Sequence, residues 1–136
     1  MSEVSSDQGL DPVRELREDE LRVLRKVLSQ TSIETEFEEQ VASMKVQTMA
    51  DGGMGSIRFY NGRDRSPLDY GGQIAEAAFQ DADGVPVSIT LSVDTIGDLF
   101  EMDVFKADFS PLIRYPDLAD LAIIERDERG NVVSAG

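Results

Sequence analysis

The chain has 136 residues, enough for one hydrophobic core and too few for two, and its 40% hydrophobic and 29% charged content is that of an ordinary globular protein. Its 13 basic and 27 acidic side chains leave a net charge of −14, a field that repels nucleic acid and anionic membrane and favours a basic protein as partner. Cysteine and histidine are both absent, which removes disulfides, thiolate nucleophiles, the usual general base and the commonest zinc ligands, so neither a metal nor a cofactor is expected.

Residues 1–10 read as a flexible tail, because Ser, Asp, Gln and Gly dominate and nothing there would anchor to a core. No apolar run approaches the ~20 residues of a membrane span, and the first residues are acidic rather than basic, so a cytoplasmic location is expected. A single domain then runs over 11–125. Leu16, Leu21, Leu24, Val27 and Leu28 recur at helical spacing. A start near Glu18 would set Leu16 and Leu21 as a hydrophobic staple and place Glu18, Asp19 and Glu20 at the positive end of the helix dipole. A second helix is predicted over Glu34 to Ala42, with Phe37 and Val41 facing inward.

Beyond it the period changes to two. Met44, Val46 and Thr48 lead into the turn Asp51-Gly52-Gly53, and Ile57 and Phe59 belong to the following strand. Three glycines in Asp51-Gly52-Gly53-Met54-Gly55-Ser56 could cradle an anion, but no Lys-Ser/Thr completes a phosphate loop, and a tight turn is the better reading. Ala77 and Phe79 precede a hairpin at Ala82 to Gly84, in which a left-handed Gly84 places Phe79 opposite Val87. The spacing Asp81-Ala82-Asp83-Gly84 lacks the distal ligands of a calcium loop.

Val85, Val87, Ile89, Leu91 and Val93 alternate with polar residues, as do Phe100, Met102 and Val104. A four-residue loop, Thr95 to Asp98, pairs Val93 with Phe100, Leu91 with Met102 and Ile89 with Val104. That register gathers Asp94, Asp98, Glu101 and Asp103 near one end of the hairpin, on a face they share with Phe105. Burial beneath a helix or the C-terminal segment is expected for Phe105, with exposure as a partner anchor the alternative. Lys106 suits a structural ion pair. Pro111 and Pro116 interrupt regular structure, Leu118 to Ile124 add a short helical turn or a closing segment, and 126–136 read as a second tail.

The fold class is therefore α+β, with N-terminal helices packed on a mainly antiparallel β-meander. Across roughly Leu16 to Leu112 the chain resembles a family of small uncharacterised bacterial proteins. The resemblance rests on Asp51-Gly52-Gly53-Met54-Gly55-Ser56, on Asp81 with Asp83-Gly84-Val85, and on Leu99-Phe100-Glu101 followed by Asp103, Lys106 and Asp108-Phe109-Ser110-Pro111-Leu112. In general character it is similar to immunity proteins that neutralise bacterial toxins. The functional expectation is a non-enzymatic protein-binding module whose contact residues are Asp94, Asp98, Glu101, Asp103 and Phe105. The alternatives are a carboxylate- or divalent-metal-dependent enzyme centred on the same acids, and a homo-oligomeric structural protein.

Overall fold

A computed structural model describes residues 12–29, 31, 37–38, 44–60 and 70–135. In chain order they form β1 (Arg14–Glu15), α1 (Glu18–Leu28), β2 (Lys45–Thr48), β3 (Ile57–Tyr60), β4 (Tyr70–Gln80), β5 (Pro86–Asp94), β6 (Leu99–Lys106), a 3-10 turn (Leu118–Asp120), β7 (Ala122–Arg126) and β8 (Val132–Ala135). The eight strands make one antiparallel sheet in the order β1-β2-β3-β6-β5-β4-β7-β8. Only β4, β5 and β6 form an uninterrupted meander at its centre. The β2–β3 hairpin joins the free side of β6, and the β7–β8 hairpin joins the free side of β4.

The class is α+β, but the expected set of N-terminal helices is reduced to one α-helix among the described residues. Of the segment predicted as a second helix, 34–42, only Phe37 and Glu38 are described. Phe37 is buried in the core and Glu38 is paired with Arg25. The expected tail 1–10 lies outside the described residues. Of residues 126–136, expected as a tail, 127–131 form a turn and Val132–Ala135 return as β8, paired with β7, while 136 lies outside the described residues. Among the described residues no helix is long and apolar enough to cross a membrane.

Helix α1 begins where its sequence favours a start. The Glu20 carboxylate accepts the Arg17 N–H at 2.8 Å, satisfying one of the orphan donors of the first turn. Unlike its neighbours Glu18 and Asp19, Glu20 is buried, because Arg14 on β1 grips both of its oxygens at 2.9 and 2.8 Å. Val23, Leu24, Val27 and Leu28 then pack with Val46, Ile57, Phe59, Ile89, Leu91, Met102 and Val104 in one core. At the far end of the helix Lys26 donates to the carbonyls of Leu118 and Leu121, at 2.6 and 2.8 Å, and so ties down the 3-10 turn.

Three hairpins share one device. Asp81, Asp94 and Asp127 each open a three-residue loop whose third residue is a left-handed glycine, Gly84 (φ 82°), Gly97 (φ 94°) or Gly130 (φ 88°). In each, the glycine N–H donates to the aspartate carbonyl, at 2.8, 3.0 and 3.0 Å, and the aspartate carboxylate accepts backbone N–H groups of its own loop. The reading of Ala82 to Gly84 is realised, and Phe79 pairs with Val87. The loop after β5 is one residue shorter than expected, running from Thr95 to Gly97. Val93 consequently pairs with Leu99 rather than Phe100, and the ladder recovers the expected Ser92–Glu101, Leu91–Met102 and Ile89–Val104 pairs across an irregularity. Phe100 sits beneath the Arg58 guanidinium, 5.3 Å from ring centroid to charge.

Leu91, fully buried at the centre of β5, faces α1 and the flanking strands. Truncation to Ala should lower unfolding free energy by ~2–5 kcal/mol in a denaturant titration. A loss under about 0.5 kcal/mol, typical of surface positions, would contradict the face assignment.

Candidate functional site

The segment after β6, residues 107–117, lacks regular structure and is held to the sheet by one buried cation. The Lys106 side chain is 1% exposed, and its ammonium donates to Asp81 Oδ2 at 2.8 Å, Asp83 Oδ2 at 2.8 Å and the Pro111 carbonyl at 3.2 Å. Asp81 in turn accepts the backbone N–H groups of Ile113 (2.7 Å), Arg114 (3.3 Å) and Ala82 (2.7 Å). Burial opposes ionisation of Asp81, but these donors together with Lys106 outweigh it and hold the carboxyl at about 2, against an ordinary 3.8. For Lys106 burial works against the charged form, and the hydrogen bonds it donates to Asp81 and Asp83 more than reverse it, raising its pKa. Both groups of the latch are therefore charged at neutral pH.

The glycine loop 51–56 is the other half of this arrangement. Asp51 closes it by accepting the Met54 and Ser56 N–H groups, both at 3.0 Å. Buried Ser56 both donates to the Val104 carbonyl and accepts the Val104 N–H, at 3.2 and 2.9 Å, extending the β3–β6 contact with a side chain. The segment 107–117 crosses directly above it as a strap. Leu112 N–H donates to the Gly53 carbonyl at 2.9 Å, and the Tyr115 hydroxyl to the Gly55 carbonyl at 2.7 Å. A Cβ on Gly55 would stand 3.1 Å from Leu112 and 3.2 Å from Tyr115, so the glycine serves close packing as well as its φ of 104°. The loop read from the sequence as a tight turn is thus a seat for the strap.

The five expected contact residues separate into two groups. Asp94 is buried, and its Oδ1 accepts the N–H groups of Ile96 and Asp98 at 3.0 Å each, which commits it to shaping the loop; Asp98 lies at that loop's end. Glu101, Asp103 and Phe105 share the sheet face opposite the core, across from Ser92, Thr90 and Ser88 as expected. Glu101 is paired with Arg58, whose Nε donates at 2.9 Å and whose Nη2 donates to the same oxygen. Asp103 is half-buried and accepts no hydrogen bond among the described residues. Burial and the neighbouring Glu101 raise its pKa, Arg58 acts in the opposite sense, and Asp51 adds to the rise.

Burial of Phe105, the expected outcome, is not found. The ring is 45% exposed and meets Phe109 edge to face, with centroids 5.1 Å apart. Phe109 is 69% exposed and, at φ 64°, is the one non-glycine residue with positive φ among the described residues. Its N–H donates to the Lys106 carbonyl at 2.9 Å, so the turn carrying it begins at the latch. Sequence reasoning missed Phe109 because aromatic residues rarely take the left-handed region, and no turn signal such as Asn-Gly marks the position. Among the described residues no group of three or more acidic side chains is arranged to hold a metal ion.

A family model described as "Domain of unknown function (DUF6984)" matches residues 13–116. The chain belongs to this family. No curated protein and no solved structure matches it. The region matched by the DUF6984 model contains the whole latch, the glycine loop, the strap as far as Pro116 and the Phe105–Phe109 pair, whereas the β7–β8 hairpin lies beyond it.

Two stability experiments probe the site. The folded pKa of Asp81 is depressed, so its contribution is fully present above about pH 4 and is lost as pH falls through about 2. Asp81→Asn leaves Lys106 short of a counter-charge and should cost ~3–5 kcal/mol at pH 7. The gap between variant and wild type in denaturant titrations should narrow from pH 4 to pH 2; a constant gap would show that ionisation of Asp81 is not the source. Asp103 has the opposite sign. A carboxyl with a raised folded pKa costs stability when ionised, so Asp103→Asn should raise the melting temperature at pH 7 and lose that advantage at pH 3. A variant that melts lower than wild type at pH 7 would refute the assignment.

Proposed function

We propose that this DUF6984 protein is a non-enzymatic protein-binding module that engages a basic partner through the sheet face bearing Glu101, Asp103, Phe105 and Phe109. The observation that carries this reading is the exposed Phe105–Phe109 pair beside a half-buried carboxylate, Asp103, for which the described residues supply no donor. Exposed aromatics on a rigid strand and a latched turn are suited to act as anchors, because little side-chain entropy remains to be lost on binding. Phe109 adds a backbone held in a sparsely populated region, a cost that persists only where surrounding contacts impose it.

Asp103 gives the partner its sign. A cationic group from outside would supply the counter-charge that this carboxylate lacks, and the net charge of −14 would speed the encounter. The Arg58–Glu101 pair beside it is already satisfied and sets the edge of the patch. The competing enzymatic reading requires free carboxylates converging on a point, and Asp94 and Glu101 are engaged elsewhere, by backbone amides and by Arg58. Neutralisation of a basic toxin, the role to which the resemblance in general character points, is one form that this binding could take.

The proposal is tested by affinity capture with wild type and two variants, followed by binding kinetics on the captured partner. Phe109→Ala should keep the fold, since its ring is 69% exposed, and weaken binding by ~2 kcal/mol or more, as truncation of an anchor does. Asp103→Asn should slow association and flatten its dependence on ionic strength. A captured partner that binds both variants as tightly and as fast as wild type would refute this face as the contact surface.

A further inference from the structure

A second surface lies at the opposite side of the sheet. Strand β4 runs from Tyr70 to Gln80, yet its outer side is paired with β7 only at Ala77 and Ala78. Ile74 is the extra residue of an irregularity between the Gln73–Ser92 and Ala75–Leu91 pairs, and a bulge of this kind bends its strand away from a neighbour. Ladder pairing with β7 stops at Ala77, and a cleft of about 370 Å³ lies between β4 and the β7–β8 hairpin. Ile74, Ala75, Ile124 and Val133 form its apolar lining. Across it Arg126 grips Glu76 with two bonds, Nε to Oε1 at 2.7 Å and Nη2 to Oε2 at 2.8 Å, and Glu125 also lines it.

We propose that this cleft, with the outer edge of β4 from Tyr70 to Glu76, receives an extended segment of a partner protein by β-strand addition, the segment alternating aliphatic and basic side chains. Three observations specify the occupant. Among the described residues no strand pairs with this edge beyond Ala77, and an uncovered edge offers backbone donors and acceptors that an extended chain satisfies. Alternate side chains of such a segment point to the same side, so aliphatic ones can meet Ile74, Ile124 and Val133 while the next ones stay at the rim. At the rim stand Glu76 and Glu125 with a single cation, Arg126, already bound to Glu76 and to the Gly130 carbonyl. On a chain of net charge −14 this selects a basic segment and disfavours a second copy of the same chain. The terminal strand β1, at the β2 side of the sheet, is two residues carrying Arg14 and Glu15, a short charged edge of the kind that discourages addition.

The test uses the full ¹⁵N-labelled protein and, as probe, an end-blocked heptapeptide of alternating lysine and valine. Saturable amide shifts confined to residues 70–76 and 124–126, with slowed hydrogen exchange along β4, are the expected result. Ile124 lies outside the buried core, so Ile124→Asn should remain folded and weaken the peptide at least tenfold. Phe109→Ala should leave its affinity unchanged, which separates this surface from the aromatic face. Absence of shifts up to millimolar peptide, shifts centred on Phe105 and Phe109, insensitivity to Ile124→Asn, or sedimentation showing that the free protein dimerises through this edge would each overturn the proposal.

Discussion

The ammonium of Lys106, enclosed between Asp81 and Asp83, is the interaction on which the strap and the proposed binding face depend. A charge this deeply buried is tolerated only because every direction around it is answered: two carboxylates and the Pro111 carbonyl on one side, and backbone amides stabilising Asp81 on the other. Its reach is long. The β4–β5 turn supplies the acids, β6 supplies the base, and the strap supplies the amides of Ile113 and Arg114. One buried cation therefore joins the β4–β5 turn, 23 to 25 residues distant in sequence, to β6 and to the strap that follows it, and the strap covers the glycine loop before β3.

This arrangement separates rigidity from recognition. The latch and the Ser56–Val104 bonds hold β3, β6 and the strap as one unit, and the turn that starts at Lys106 ends at the exposed ring of Phe109. The residues proposed to face a partner thus stand on a support whose polar groups are already satisfied. Asp103 is the departure from that pattern, a half-buried carboxylate beside Glu101 with no hydrogen bond of its own among the described residues. A group that costs the free protein stability on a face where a partner could relieve it is physically consistent with binding.

The two candidate surfaces differ in how each would recognise a partner. The aromatic face combines shape and charge on a preformed platform, while the β4 edge offers backbone hydrogen bonds and a narrow apolar cleft. The family match encompasses the first surface and ends before the β7–β8 hairpin that walls the second. Recognition at the aromatic face would therefore use residues of the family region alone, and recognition at the cleft would draw on a hairpin outside it.

Much of the architecture was legible from local pattern. Period-two alternation in Val87, Ile89 and Leu91 identified the core face of β5, because side chains on a strand alternate and only one parity could be buried. The Gly84 loop followed from Asp83-Gly84, and the helix start followed from the acids and the staple. Other features needed the folded chain. The Gly97 loop is one residue shorter than read, because Asp94 closes on Asp98 with the same Asp-x-x-Gly spacing as Asp81 and Gly84. That repeated spacing was the available signal that Asp94 shapes a loop. Phe105 was expected to be covered, since an aromatic ring in a strand usually is, and only the tertiary structure shows it exposed with the Phe109 ring edge-on against it. The latch lay beyond sequence reasoning in detail: Lys106 could be read as one member of an ion pair, but its partners lie 25 and 23 residues away, and proximity across that distance is decided by sheet register. Local chemistry determined which residues turn, alternate and face inward. The assembled sheet decided which charges meet and which remain without a partner, because those pairings depend on long-range contacts that no local spacing encodes.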